Sequence, residues 1–185
     1  MPSTGPNVPV IRPAGPADAR ALGHLHVDAW RESYKGLVPD AMLDALDGAQ
    51  RGAVWAGMIR DPASFHDARV HVAELDGEMI GFAACGTQSD ATLATEGFDG
   101  EIGAIYLLRA AQRRGLGRLL MCAAAEDLSS RGLKAASLWV LRENLPARNF
   151  YERLGGIIIG ENTDARPDGA LVEVAYGWPD LRALC

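Results

Sequence analysis

The chain has 185 residues, 48% of them hydrophobic and 23% charged, which suffices for one domain with a sizeable core and excludes disordered, collagen-like and coiled-coil classes. Its formal net charge is −6, from 18 basic and 24 acidic side chains, which argues against general nucleic-acid binding, since that rests on neutralising phosphates. No apolar run approaches the roughly 20 residues of a membrane span, and residues 1–7 lack the basic and apolar regions of a secretory signal. Cys85, Cys122 and Cys185 are odd in number and widely spaced, so neither a disulfide framework nor a zinc site is suggested. A cytoplasmic protein without a metal is expected.

Residues 1–7 read as a loose tail, and residues 8–185 as a single domain. Val8 to Arg12 predicts a short strand near an edge because of its proline. Pro16-Ala17-Asp18 starts a helix with Leu22, Leu25, Ala29 and Trp30 at helical spacing. Pro39-Asp40 opens a further helical stretch that runs on through Val54, Trp55, Met58 and Ile59. Arg69–Leu75 and Met79–Ala84 predict a hairpin around Asp76-Gly77. Residues 86–99, polar and glycine-containing, read as a loop. A strand from Glu101 to Leu108, a helix from Gly115 to Ser130 and a strand from Ala136 to Leu141 follow, and this unit should be parallel and right-handed. A helix from Pro146 to Leu154 precedes a closing hairpin of Ile157–Ile159 and Leu171–Tyr176, turned by Arg166-Pro167-Asp168-Gly169. The order implies an α/β chain with a mixed sheet and helices on both faces.

Two segments carry chemistry. Gln112-Arg113-Arg114-Gly115-Leu116-Gly117 lies where a strand turns into a helix, so its backbone can approach a ligand closely and free N–H groups can cradle a diphosphate beside two arginines. Such a glycine pattern is common alone; the strand before it and the amphipathic helix after it give it weight. The second segment runs from Asn144 to Gly155 and contains Tyr151.

Together these segments resemble the GCN5-related N-acetyltransferase (GNAT) superfamily. Its Gln/Arg-x-x-Gly-x-Gly/Ala hallmark matches at 112–117 and its Asn-x-x-Ala-x-x-x-Tyr-x-x-x-Gly segment at 144–155. Trp30-Arg31-Glu32-Ser33-Tyr34, with Gly36, is also similar to bacterial small-molecule branches. The resemblance implies the GNAT fold, a mixed central sheet of about seven strands, and acetyl-CoA as co-substrate. It further implies that the two parallel strands splay at a bulge to admit pantetheine. Backbone groups of Ile105, Tyr106 and Leu107 would then bond the pantetheine arm. Gln112 opens the motif, amides of Arg113, Arg114, Gly115, Leu116, Gly117 and Arg118 would hold the pyrophosphate, and Asn144 would contact the arm. Tyr151 would sit near the thioester sulfur as general acid, its phenol being near pKa 10 against about 8.5 for a thiol.

Glu101 lies eleven residues before Gln112, where the histone-acetylating branch carries a glutamate base, which makes it the candidate base or attractor of a cationic amine. Three positions depart from the family: Gly156 replaces an aromatic, Arg109-Ala110-Ala111 lacks the usual proline, and Trp139 stands where ribosomal-protein acetyltransferases place a glutamate. Asn144 also suits capping of the following helix, and Tyr151 suits the core. Trp30, Tyr34 and Trp55 suit either core packing or an acceptor wall. Cys85 and Cys122 read as small core residues. His24 and His26 face different ways, which disfavours a metal pair. The expected activity is acetyl transfer to the primary amine of a small molecule. Protein N-terminal or lysine acetylation, and a non-catalytic acyl-CoA sensor, are the alternatives. The partners expected are the amine and at most a second copy of the chain as a homodimer, with no nucleic acid and no membrane.

Overall fold

A computed structural model describes residues 8–166 and 169–185. Seven strands form one sheet in the order β1-β2-β3-β4-β5-β7-β6: β1 Val10–Pro13, β2 Arg69–Leu75, β3 Glu78–Thr87, β4 Gly100–Leu107, β5 Ala136–Leu141, β6 Ile157–Arg166 and β7 Gly169–Trp178. All neighbours pair antiparallel except β4 and β5, which are parallel and joined through a helix. This is the mixed sheet expected, with β1 at an edge. Val8 and Pro9 stay outside the strand, and the closing hairpin is longer than its apolar core implied because its outer halves are polar. Pro167 and Asp168 of the expected turn, like the tail 1–7, lie outside the described residues.

On one face lie α1 (Ala19–Tyr34) and α3 (Gly48–Arg60), whose Leu22, Leu25 and Trp55 pack on Val70, Val72, Phe82 and Ala84. These helices touch backbone to backbone: a Cβ on Gly23 would stand 2.2 Å from the Gly48 carbonyl oxygen and 2.3 Å from the Gly52 nitrogen, so no side chain fits there. The stretch expected as one helix from Pro39 is broken into α2 (Asp40–Asp44) and α3, because Asp47 accepts from the Gln50 amide at 2.7 Å and starts a new helix. Likewise the 86–99 segment contains a short helix, α4 (Ala91–Thr95), capped by Asp90.

The opposite face is covered by α5 (Leu116–Ser130), α6 (Leu145–Arg153) and the last turn, Leu181–Leu184. Met121, Ala124, Leu128, Tyr151 and Leu154 meet Ile102, Leu138, Tyr176 and Trp178 there. The cysteines depart from the sequence expectation. Cys122 on α5 forms a disulfide with Cys185, whose Cα lies 4.7 Å away, and only Cys85 is a free, buried thiol. The 63-residue separation hid the pairing, since only the returning terminal turn brings the two together. Among the described residues no helix is long and apolar enough to cross a membrane.

One irregularity positions the site. Opposite Ala84 and Cys85, β4 offers Ala104 and Ile102, so Gly103 is an extra residue in a bulge. A strand alternates faces residue by residue, and the bulge resets that alternation. Ile102 therefore packs against α5, while Ala104 and Tyr106 turn to the α1 side.

Candidate active site

β4 and β5 pair only at Gly100–Ala136 and Glu101–Ser137 and then part, although β4 stays bonded to β3 as far as Leu107. The β5-facing backbone of β4 beyond Glu101 thus has no strand partner. Ile105, Tyr106 and Leu107 all lie on this stretch, and the Leu107 carbonyl accepts from the Gln112 side-chain amide at 3.1 Å. The loop that follows takes the left-handed conformation twice: Arg113 has φ 60° and Gly115 φ 79°. No amide from Arg113 to Arg118 donates to a backbone acceptor among the described residues, because these are the turn and first-turn donors of α5. Converging free amides at a helix start form an anion-binding concavity. Arg113 and Arg114 are exposed beside it with no acidic partner among the described residues.

Within the motif the residues divide labour. Gly115 occupies the left-handed region and a Cβ there would meet nothing within 4 Å. Gly117 serves packing instead: its Cβ would stand 3.0 Å from the ring tip of Phe150 on α6. Both glycines are expected from the sequence to clear space for phosphate, and at Gly117 this neighbouring ring is a further reason for the missing side chain. Leu116 sends its side chain into the core, so its amide is what faces the loop. The Arg118 guanidinium donates to the Cys185 carbonyl at 3.3 Å. Asn144 is buried and caps α6, its Oδ1 accepting from the Ala147 amide at 3.3 Å.

Tyr34 of α1 and Tyr106 of β4 meet beyond the point where the strands part, and Tyr151 of α6 is near enough to interact electrostatically with both. The Tyr34 and Tyr106 hydroxyls are 3.1 Å apart. Tyr151 is buried on α6, its ring 5.5 Å from Phe150, 5.8 Å from Tyr176 and 6.1 Å from Trp178. Its hydroxyl makes no hydrogen bond among the described residues. Burial, and next the proximity of Tyr34, push the Tyr151 pKa up, so its proton stays on throughout the neutral range. Burial raises Tyr34 and Tyr106 as well. Trp30 stacks edge-on to Tyr34 at 4.9 Å, and both pack near Val38, Leu43 and Leu141.

On the α1 side of the sheet, at the bulge, lies a cavity of about 300 Å³ bounded by Glu101, Gly103, His26, Arg51, Trp55 and Met58, among others. Trp30 and Tyr34 stand beside it and are not among its lining residues. One Glu101 oxygen accepts from the Ser89 amide at 3.0 Å and from its hydroxyl at 2.5 Å. Ser89 is in turn fixed by its neighbour Gln88, whose side chain donates to the Ser137 hydroxyl at 2.6 Å and the Gly100 carbonyl at 3.2 Å. The Glu101 carboxylate is thus held at the start of the divergence, on the cavity side. His26 is buried, and its pKa is pushed down to about 4 by burial and then by nearby Arg51, so it is neutral at pH 7. Arg51 is absent from the sequence-predicted site, and His26 figures there only as half of a disfavoured metal pair. The available signal was periodicity: Arg51, Trp55 and Met58 share one face of α3, which puts a cation in an apolar stripe.

His71, Cys85 and Asp127 place ligand atoms within 4.8 Å of one another, but the Arg131 Nε lies 2.9 Å from the Asp127 carboxylate, which is therefore already neutralised. In the group of Cys122, Glu126 and Cys185 the two sulfurs are bonded to each other.

A sheet whose two parallel strands part above an amide-lined loop is the arrangement that the resemblance to acetyltransferases implied. The chain belongs to the acetyltransferase (GNAT) family, whose model matches residues 24–156. It is 34% identical over 175 residues to an uncharacterized N-acetyltransferase, YuaI, of Bacillus subtilis (strain 168), covering 94% of this chain and 95% of that protein. It is also 34% identical over 176 residues to a mycothiol acetyltransferase of Gordonia bronchialis, covering 88% of this chain and 51% of that protein, so it spans about half of that relative. Among solved structures, an N-acetyltransferase (PaiA) of Thermoplasma acidophilum in complex with coenzyme A is similar in fold, with a TM-score of 0.70 at 18% identity over 90% of this chain and 98% of that one.

Proposed function

We propose that this enzyme transfers an acetyl group from acetyl-CoA to the primary amine of a small molecule by direct attack within a ternary complex. The observation that carries this reading is the meeting of two features at the Gly103 bulge: the parting of β4 from β5, and the cavity that holds Glu101. A chain that binds a cofactor along one side of that point and an acceptor on the other brings both reactants to one place. The similarity to a mycothiol acetyltransferase and to a fold solved with coenzyme A supports both assignments.

Acetyl-CoA supplies the acetyl group as a thioester. The free amides of residues 113–118 and the Arg113 and Arg114 side chains hold its pyrophosphate, while the unpaired edge at Ile105, Tyr106 and Leu107 bonds its arm, with Asn144 opposite on β5's side of the fork. Glu101 draws in the protonated amine and accepts its proton, since an unperturbed alkylamine near pKa 10.4 must lose one to become a nucleophile. The amine lone pair forms the new C–N bond, the C–S bond breaks, the Tyr151 hydroxyl gives its proton to the departing sulfur, and the second proton shed by the new amide nitrogen restores the tyrosine. A tyrosine whose pKa is raised by burial is a firm hydrogen-bond donor at neutral pH, which suits stabilisation of a developing thiolate.

Glu101→Gln tests the role of the carboxylate, because it keeps the hydrogen-bonding shape at Ser89. Thiol release from acetyl-CoA should fall most at low pH and recover as the amine deprotonates itself near pH 9. A variant with wild-type turnover and Michaelis constant across pH 6 to 9 removes Glu101 from the site.

A further inference from the structure

The cavity at the bulge is not uniformly apolar, and its charges are arranged in a way the reaction does not require. Glu101 serves the amine. Arg51, on α3, lines the same cavity and is not needed for acetyl transfer, and no carboxylate pairs with it among the described residues. Its guanidinium stands 5.8 Å from the centre of the Trp30 ring, a contact that holds the cation in place without neutralising it. Half-buried cations in apolar stripes are ordinarily paired, so one left open toward a cavity is available for an anion.

His26 supplies a second, independent observation. It lines the same cavity, is 8% exposed, and its Nδ1 is buried without a hydrogen-bond partner. Burial and Arg51 keep the ring uncharged, so it offers a neutral polar group next to the cation and adds no competing charge. Trp55, Met58 and Phe65 give the same cavity an apolar and aromatic lining.

We propose that the acceptor is an amine that also carries a carboxylate on a short apolar or aromatic body, with Arg51 binding the carboxylate and Glu101 receiving the amine. This rests on the acetyl-transfer reading and narrows its substrate class. A polycation such as a polyamine would set a second positive charge against Arg51, whereas an amino-acid-like zwitterion matches both charges of the cavity.

Matched pairs test the proposal: phenylalanine against phenethylamine, and leucine against isoamylamine, each with acetyl-CoA. Wild-type enzyme should show a kcat/KM at least 10-fold higher for the carboxylated member. Arg51→Gln should abolish that preference by weakening only the carboxylated member, and Arg51→Lys, which keeps the charge, should restore part of it. The same pairs should be added to the enzyme–coenzyme A complex in a thermal-shift assay. There only the carboxylated members should raise the Tm, and only in wild type and in Arg51→Lys. Equal treatment of both members by wild type, an undiminished preference in Arg51→Gln, or no Tm rise from either amino acid overturns the proposal. In each of those cases stabilisation by acetyl-CoA alone would still stand, which separates this failure from failure of the acetyltransferase reading.

Discussion

The two sides of the bulge are built from different materials. On the proposed cofactor side, the groups offered to a ligand are main-chain amides and carbonyls: the unpaired edge of β4 and the donors of residues 113–118. On the proposed acceptor side they are side chains, with Glu101 from β4, His26 from α1 and Arg51 from α3 lining one cavity from far apart in the chain. Backbone groups recognise a constant chemistry and tolerate many side chains, provided the turn geometry is kept. A side-chain cavity can change its ligand with each substitution.

The largest expected effect lies on the acceptor side and concerns stability. His26 has its pKa lowered in the folded protein to about 4, below its ordinary 6.5. Between those values the unfolded chain binds the proton and the native chain does not, so stability should fall as pH drops from about 6.5 to about 4 and lose nothing more to this group below that. The cumulative loss is up to about 3 kcal/mol. Denaturant midpoints of wild type and His26→Gln across that window check it, since the variant should show a shallower decline. Equal slopes would mean that His26 is solvated and that the acceptor side is more open than its burial indicates.

Next in size is Tyr151→Phe, at the join of the two sides. Removing only the hydroxyl should lower turnover by about 10²-fold, at the low end for a general acid, and leave acetyl-CoA affinity nearly unchanged. A turnover number equal to wild type in single-turnover measurements would return Tyr151 to the core it packs in. Smallest is the contrast between the two glycines of the cofactor loop. Gly115→Ala forces an L-residue into the left-handed region at roughly 1–2 kcal/mol, and it should weaken acetyl-CoA more than it lowers the Tm. Gly117→Ala presses on Phe150 and should do the reverse. Identical responses would erase the distinction between a loop shaped for a ligand and a helix start shaped for its neighbour.

The difference between the two sides also decides what could be read from the sequence. The Gln112–Gly117 and Asn144–Gly155 segments are contiguous, and local geometry is written in contiguous residues, so the fold family, the β4–α5 turn and the Asn144 cap were all legible. Asp47 and Asp90 were equally local signals, yet each sits in a polar run where capping and plain solvation look alike. The convergence of Arg51, His26 and Glu101 depends on α1 and α3 closing at Gly23 and Gly52, and on a one-residue bulge at Gly103 that turns Ala104 and Tyr106 toward α1. Neither device has a sequence signature beyond a glycine. The disulfide was hidden for the same reason, because its partners meet only after the terminal turn packs on α5.

Both reactants are proposed to occupy the enzyme together, one on each side of the bulge, with the acetyl group passing directly between them. Initial velocities with acetyl-CoA and a carboxylated amine both varied test it most directly. Intersecting double-reciprocal lines, with no acetylated protein recovered when amine is withheld, are the expected result. Parallel lines together with an isolable acetyl-enzyme would contradict it and would place a covalent step on a residue of this chain.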